Sequence, residues 1–387
     1  MFPTESSSPC LRTLMIISIV LLTVAAFTGC DAGQVHEEPS AGTVAQPPDE
    51  PSRTSNQKPD RADLHRDEQK NRPAAQELYK VERGRHEVSV RAFELPRAGR
   101  GEPLPVRVTW PVRGEDDAIS PVLIFSHGGL GSRDNHDPVI EHWASHGYIC
   151  IQPTHGDSAS LMSDAERRQF RSVEQALNSP RILRHWRTRP DDVKLILDSF
   201  DRIEAKVPEL AGQIDRERVA HGGHSFGANT AMLMGGVTAN TFAGRRLSFA
   251  DNRIRAIIAI SPQGSGRQFD EASFRALRVP ALMITGSEDV VFDEQQGYAW
   301  RREAFDLAPK EHTYLLSIDG AHHGFGGIAG TDFPSAGPEI RHHVDHVRSA
   351  VLAFLDAHVL DDERAKAYLK SGTIEHLSEG EIRLERE

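Results

Sequence analysis

The chain is short of cysteine, lacks any excess of positive charge and has no apolar run long enough to span a bilayer. Its three cysteines, Cys10, Cys30 and Cys150, lie far apart with no C-x-x-C pair, which excludes a disulfide framework and a cysteine-pair zinc site. Asp and Glu outnumber Lys and Arg by 56 to 45, for a net charge of −11 and a pI near 6.0. No nucleic-acid partner is expected, because phosphate contact needs a basic surface. The apolar stretch from Leu14 to Phe27 is about 14 residues, whereas a membrane-spanning helix takes about 20. No internal repeat is evident.

Short as it is, that stretch suits the apolar centre of an export signal. Arg12 precedes it, and Thr28-Gly29-Cys30 follows in the manner of a bacterial lipobox. Residues 1–30 therefore read as a signal peptide, with cleavage before Cys30 and lipid attachment there. Ordinary secretion with Cys30 unmodified is the alternative. From Asp31 to about Ala75 the chain is rich in Pro, Ser, Gln, Asp, Glu and Arg and nearly free of aromatic and β-branched side chains. Such a segment cannot bury enough surface to offset its ordering entropy, so residues 31–78 read as a disordered tether to a membrane of the bacterial envelope. Cys150, in the apolar run Tyr148 to Ile151, reads as a small buried hydrophobe.

The remainder has room for one catalytic domain, residues 79–360. Two β-like segments, His86 to Phe93 and Leu104 to Val112, predict an antiparallel start. Apolar strand candidates then follow at Val122 to Ser126, Tyr148 to Gln152, Val219 to Gly222, Ile254 to Ile260, Ala281 to Thr285 and Tyr314 to Ile318, alternating with helical or loop stretches. This alternation predicts an α/β fold with a mostly parallel central sheet covered by helices on both faces. Pro190, Asp191 and Asp192 suit a helix N-terminus, and Val193, Ile196, Leu197, Phe200 and Ile203 form one apolar face of that helix. Val344 to Leu360 predicts another. Residues 361–387 read as a charged C-terminal tail without evident chemistry.

One local pattern carries chemistry. Gly223-His224-Ser225-Phe226-Gly227 lies between a β-type segment and the apolar run Ala228 to Met234, which closes at Gly235-Gly236. A strand that turns abruptly into a helix needs glycine two positions either side of the serine, and leaves the serine Oγ exposed. A serine hydroxyl is a weak nucleophile. It needs a base, the base needs an orienting acid, and the oxyanion needs preorganised donors. Asp289 follows the strand Ala281 to Thr285, with Glu288 as its neighbour and competitor. The base is sought in Gly320-Ala321-His322-His323-Gly324, where two adjacent histidines cannot both face the serine. Phe125-Ser126-His127-Gly128-Gly129-Leu130-Gly131-Ser132 follows a strand and can supply a backbone donor, with a second from Phe226.

From about Pro121 to Phe354 the sequence resembles the α/β-hydrolases, and within them the platelet-activating-factor acetylhydrolase and dienelactone-hydrolase-like group, on the motifs FSHGGLGS, GHSFGAN, ITGSEDVV and GAHHGFGG. The resemblance implies Ser225 as nucleophile, His323 as acid/base, Asp289 as its partner, and an oxyanion hole from Gly129 and Phe226. Because FSHGGLGS departs from the group's more familiar FSHGLGGS, Leu130 stands as the alternative to Gly129. The expected activity is that of an exported serine esterase acting on a small-molecule or lipid ester without metal or organic cofactor. An acyltransferase or peptidase with the same triad, and a catalytically silent binding lipoprotein, are the alternatives.

Two further clusters fall outside that scheme. His342, His343, Asp345 and His346 crowd one helix, but the glutamate of an H-E-x-x-H zinc motif is missing, and a solvated helix face is the simpler reading. Arg181, Arg184, Arg187 and Arg189 with Trp186 lie in an insertion over about 157–190. The spacing of 181, 184 and 187 places three guanidinium groups on one helical face. Arg184, Trp186 and Arg187 thus read either as an anion-binding cap over the site or as a solvated basic surface.

Overall fold

A computed structural model describes residues 77–386 except 98, 100, 115–118, 242, 292 and 331–335. Cys30, the export signal and nearly all of the tether lie outside the described residues. Among those described, no helix is long and apolar enough to cross a membrane.

Nine strands form the main sheet: β1 (Val88–Leu95), β2 (Leu104–Pro111), β3 (Ser120–Ser126), β4 (Ile149–Pro153), β5 (Ile214–His224), β6 (Ile254–Ile260), β7 (Ala281–Glu288), β8 (Thr313–His322) and β9 (Ile382–Arg386). Their spatial order is β1-β2-β4-β3-β5-β6-β7-β8-β9. The β1–β2, β2–β4 and β8–β9 pairs are antiparallel, and the five pairs from β4–β3 to β7–β8 are parallel. The protein is therefore α/β, with a large, mostly parallel sheet flanked by helices. Side chains alternate across its plane, as a pleated strand requires. Val122 and Ile124 join one core, whereas Leu123 and Phe125 join the other; Ile257 and Ile258 divide in the same way. Being covered on both faces is why these strands read as continuous apolar runs instead of alternating ones.

The helices that cover the sheet are α1 (Asp137–Ser145), α2 (Arg189–Leu197), α3 (Phe200–Lys206), α4 (Phe226–Gly235), α5 (Tyr298–Asp306), α6 (Arg341–His358), α7 (Glu363–Lys370) and α8 (Thr373–Leu377). The apolar face expected over 190–203 is divided between α2 and α3. The chain breaks at Asp198 and Ser199, two poor helix-interior residues, and Ser199 N–H donates to Ile196 O at 2.9 Å. Cys150 is fully buried in the second core beside α1, as a small hydrophobe should be.

The segment after Leu360 is a correction to the expected tail. It folds into α7, α8 and β9, and β9 pairs with β8 from Tyr314↔Arg386 to Ile318↔Ile382. Ile382 and Leu384 are buried in the second core, while Arg383 faces solvent. The period-2 alternation of an edge strand explains the charge: only one face of IRLER is covered. Truncating Ile382 to Ala removes buried methyl groups and should lower the unfolding free energy by about 2 kcal/mol or more in a denaturant titration. A loss below about 0.5 kcal/mol, the scale of an exposed position, would detach this segment from the core.

Candidate active site

Strand β5 ends at His224, and α4 begins at Phe226, leaving Ser225 alone to make the turn at φ 57° and ψ −116°. Its N–H donates to Ile260 O of the neighbouring strand at 2.8 Å, which holds the turn against the sheet. The flanking glycines are sterically required. A Cβ on Gly223 would lie 2.3 Å from Gly227 O, and one on Gly227 would lie 2.0 Å from Ser126 O. Ser225 is half-buried on the wall of a cavity of about 660 Å³ that Gly129, Phe226 and His323 also line.

The paired candidates for acid and base separate cleanly. Asp289 is fully buried and Glu288 is exposed. His323 Nδ1 lies 2.7 Å from Asp289 Oδ1, whereas His322 does not border the cavity. Burial by itself would raise the Asp289 pKa. The Arg301 guanidinium, the hydrogen bond from His323 and that from Ser261 outweigh burial and hold it below the usual carboxylate value. Arg301 Nε is 3.1 Å from Asp289 Oδ1 and also donates to the Asp289 carbonyl at 2.8 Å. Ser261 Oγ donates to Asp289 Oδ1 at 3.0 Å and is 3.0 Å from His323 Nδ1; Thr285 Oγ1 donates to Oδ2 at 3.2 Å. The charged acid is thus ready to accept from the Nδ1–H of His323 and leave Nε2 unprotonated.

A pair of neutral histidines fixes the backbone of the His323 loop. His224 Nε2 donates to His323 O at 2.8 Å, so its Nδ1 is left to accept from His136 Nε2 at 3.4 Å. Burial is the main cause that lowers the pKa of both; His136 falls to about 4.

On the other side of Ser225 lies the loop 127–131. A Cβ on Gly128 would sit 3.5 Å from the Ser225 Cβ, so this backbone passes directly over the serine. Behind it Arg189, fully buried, donates to His127 O at 2.7 Å and to Gly128 O at 3.1 Å. A trans peptide points its N–H opposite to its carbonyl, so drawing the Gly128 oxygen toward Arg189 turns the Gly129 N–H away from it. That geometry favours Gly129 over Leu130 as a donor toward the cavity. Phe226 is the first residue of α4, and its N–H has no intrahelical acceptor. Asp157 neutralises Arg189 through bonds of 2.8 and 2.6 Å. Burial works to raise the Asp157 pKa, but Arg189 overrides it and keeps the carboxylate charged. Removing either partner alone would strand a buried charge, at a cost of about 3–5 kcal/mol.

Of the basic run singled out in the sequence, only Arg189 reaches the site, and it does so from behind. Arg184 and Arg187 are exposed and do not border the cavity; Arg181 pairs with Glu166, and Trp186 packs edge-on to Phe249 at 6.0 Å. Of the two readings of this run, exposure of Arg184 and Arg187 away from the cavity fits the solvated basic surface and not the anion-binding cap. The insertion does border the cavity, but with uncharged residues: Val173, Leu177, Ile182 and Leu183 together with Ser158, Ser160 and Asn178. Guanidinium groups stay in water where no acid demands them, while Ile182 of the same turns is buried. Arg301 is the one charged Asp, Glu, Lys or Arg on the described lining, and Asp289 occupies it.

A second serine, histidine and aspartate also stand at triad distances. Ser126 Oγ is 3.0 Å from His155 Nε2, and His155 Nδ1 is 2.8 Å from Asp192 Oδ2. All three are buried away from the cavity, and Ser126 Oγ is shared with His221 Nε2 at 3.0 Å. This cluster forms a hydrogen-bonded polar core, with no opening for a substrate.

Sequence reasoning missed Ser261, Arg301, His224 and His136. Ser261 alone carried a signal, as the residue directly after strand Ile254 to Ile260. No protein-family model matches the chain, and comparison with curated proteins finds no relative.

The buried histidines predict the pH dependence of stability. Their folded pKa values lie below the unfolded value near 6.5, with His136 at about 4 and His221 at about 3, and burial is the leading cause. Between those limits the unfolded chain binds more protons, so stability falls as pH drops through about 6.5 toward 3. Thermal melts should be level from pH 8 to 7 and decline steadily below 6.5. A melting temperature unchanged from pH 7 to 4.5 would contradict burial of neutral imidazoles.

Proposed function

We propose that this chain is a serine esterase of the α/β-hydrolase fold, with Ser225 as nucleophile, His323 as general base and acid, and Asp289 as the group that orients His323. The observation that carries this reading is the strained Ser225 turn, on the same cavity as a histidine bonded to a buried aspartate at 2.7 Å. Ser225 Oγ attacks the ester carbonyl carbon while His323 Nε2 takes the hydroxyl proton. Charge on the carbonyl oxygen is received by the N–H groups of Gly129 and Phe226. His323 then returns the proton to the departing alcohol, and water, activated by the same imidazole, releases the acid from the acyl-serine. Neither a metal nor an organic cofactor enters this scheme.

The cavity favours neutral esters. Its side chains include Val173, Leu177, Ile182 and Trp300 beside uncharged polar groups such as Asn178, Asn229 and Gln263, and the one guanidinium among its described residues is already paired. An acetyl or other short acyl chain and an uncharged alcohol suit such a lining, in keeping with the acetylhydrolase-like resemblance. The Thr28-Gly29-Cys30 ending of the apolar leader supports an exported, lipid-anchored enzyme that meets its ester, lipid or soluble, at the envelope.

Hydrolysis of p-nitrophenyl acetate tests the assignment. Ser225→Ala and His323→Ala should each lower kcat at least about 1,000-fold with folding retained, while His322→Ala stays within about tenfold of the parent. Asp289→Asn should cost far more than Glu288→Gln. Near-parental turnover in Ser225→Ala would refute the serine mechanism, and the reverse ranking of the two histidines would move the base to His322.

A further inference from the structure

The first turns of α6 place His342, His343 and His346 against Glu381, which stands immediately before β9. Glu381 Oε1 lies 2.9 Å from His342 Nε2 and 3.1 Å from His343 Nε2, and Oε2 lies 3.5 Å from His346 Nδ1. Donor atoms of His342, His343 and Glu381 all fall within 4.8 Å of one another. We propose that His342, His343 and Glu381, with His346 as a fourth donor, form a binding site for a divalent transition metal of the zinc type.

The spacing suits such an ion. Bonds of about 2.0–2.2 Å in tetrahedral geometry put ligand atoms roughly 3.3–3.6 Å apart; the carboxylate–imidazole separations lie near that length, and donor atoms up to 4.8 Å apart come within it by rotation of the exposed His342. The donor set selects the metal class. Imidazole with one carboxylate suits zinc, cobalt or nickel, whereas calcium and magnesium call for oxygen shells. Hydrogen bonds within the cluster leave one group unexplained. His346 is about 95% buried, and its Nδ1 has no hydrogen-bond partner although it faces Glu381 Oε2. A cation between that lone pair and the carboxylate would satisfy both.

The scaffold around the site is rigid on one side and open on the other. Glu381 is held through its backbone, with Asp319 N–H donating to its carbonyl at 2.8 Å and its own N–H donating to Ser378 O at 3.0 Å. His342 is exposed, which leaves a route for the ion. Bound metal would fasten β9 to α6, whose leading residue Ile340 donates to Gly326 O, in the loop that follows His323, at 3.1 Å. Its role is therefore structural, separate from the reacting atoms, and it answers the expectation of a solvated helix face: of the three histidines, His343 and His346 are buried and His342 is exposed.

The test uses the full chain without an affinity tag, stripped with EDTA, desalted and titrated with Zn²⁺ by calorimetry, with Co²⁺ as an absorbance probe. The proposal predicts one zinc per chain, visible cobalt bands of four-coordinate intensity, and a zinc-dependent rise in Tm. His342→Ala alters an exposed side chain and Glu381→Gln keeps its size, so both should melt within a few degrees of the parent in EDTA. Each should weaken zinc binding at least about 100-fold and abolish the zinc-dependent rise in Tm. Absence of zinc binding by the parent, or parental affinity in either variant, would overturn the site.

Discussion

A serine at φ 57° and ψ −116° has a backbone that a residue with a Cβ adopts only at a cost of about 1–3 kcal/mol, and the surrounding packing is arranged to hold it there. Strand β5 can stop and α4 can start within a single residue because Gly223 and Gly227 let three backbones meet at separations that leave no space for a methyl group. The hydrogen bond from Ser225 N–H to Ile260 O ties the turn to the next strand. Ile260 is also followed by Ser261, which bonds Asp289 and approaches His323 Nδ1. One strained turn thereby sets the serine and shares a strand end with the acid and base that would serve it.

The site is supported from two sides by buried polar groups. Arg189, held by Asp157, draws the carbonyls of His127 and Gly128 backward, and His155 N–H donates to His127 Nε2 at 3.0 Å, fixing the ring whose Nδ1 meets Gly128 O at 2.6 Å. Opposite them, Arg301 compensates the Asp289 charge, and His224 holds the His323 carbonyl. Apolar packing could not supply this directionality. Each carbonyl is aimed by a specific donor, and the two buried guanidinium groups in turn need an acid. Ser126, His155 and Asp192 belong to this support. Their triad-like distances show that spacing alone does not make a catalytic site, since a nucleophile also needs substrate access and oxyanion donors.

Much of the sheet was legible in the sequence because its strands are covered on both faces and appear as apolar runs between glycine, proline and charge. Ser225, Asp289 and the His322–His323 pair were legible because each sits at a strand end in a short local pattern. The structure adds the choice between neighbours, placing Asp289 and His323 inward and Glu288 outward. Ser261 was marked only by following a strand, and Arg301 and the clamping role of Arg189 were not legible, since nothing in the residues around them names Asp289, 12 residues away, or His127, 62 residues away, as their partners. Strand β9 was not legible because three of its five residues are charged, as an edge strand with one wet face allows. The arginines at 184 and 187 were overvalued for the opposite reason: helical spacing shows which groups share a face, but not which way that face turns.

The central claim is that Ser225 is the nucleophile of an acyl-enzyme. Labelling with a fluorophosphonate ester, followed by peptide mass mapping, tests it most directly, because the phosphorus atom is attacked as the ester carbonyl would be and the adduct persists. One adduct per chain is expected, on the peptide carrying Ser225, formed in step with loss of esterase activity and blocked by prior incubation with an ester substrate. Full esterase activity with no adduct, or an adduct on Ser126 or any other serine in its place, would contradict it.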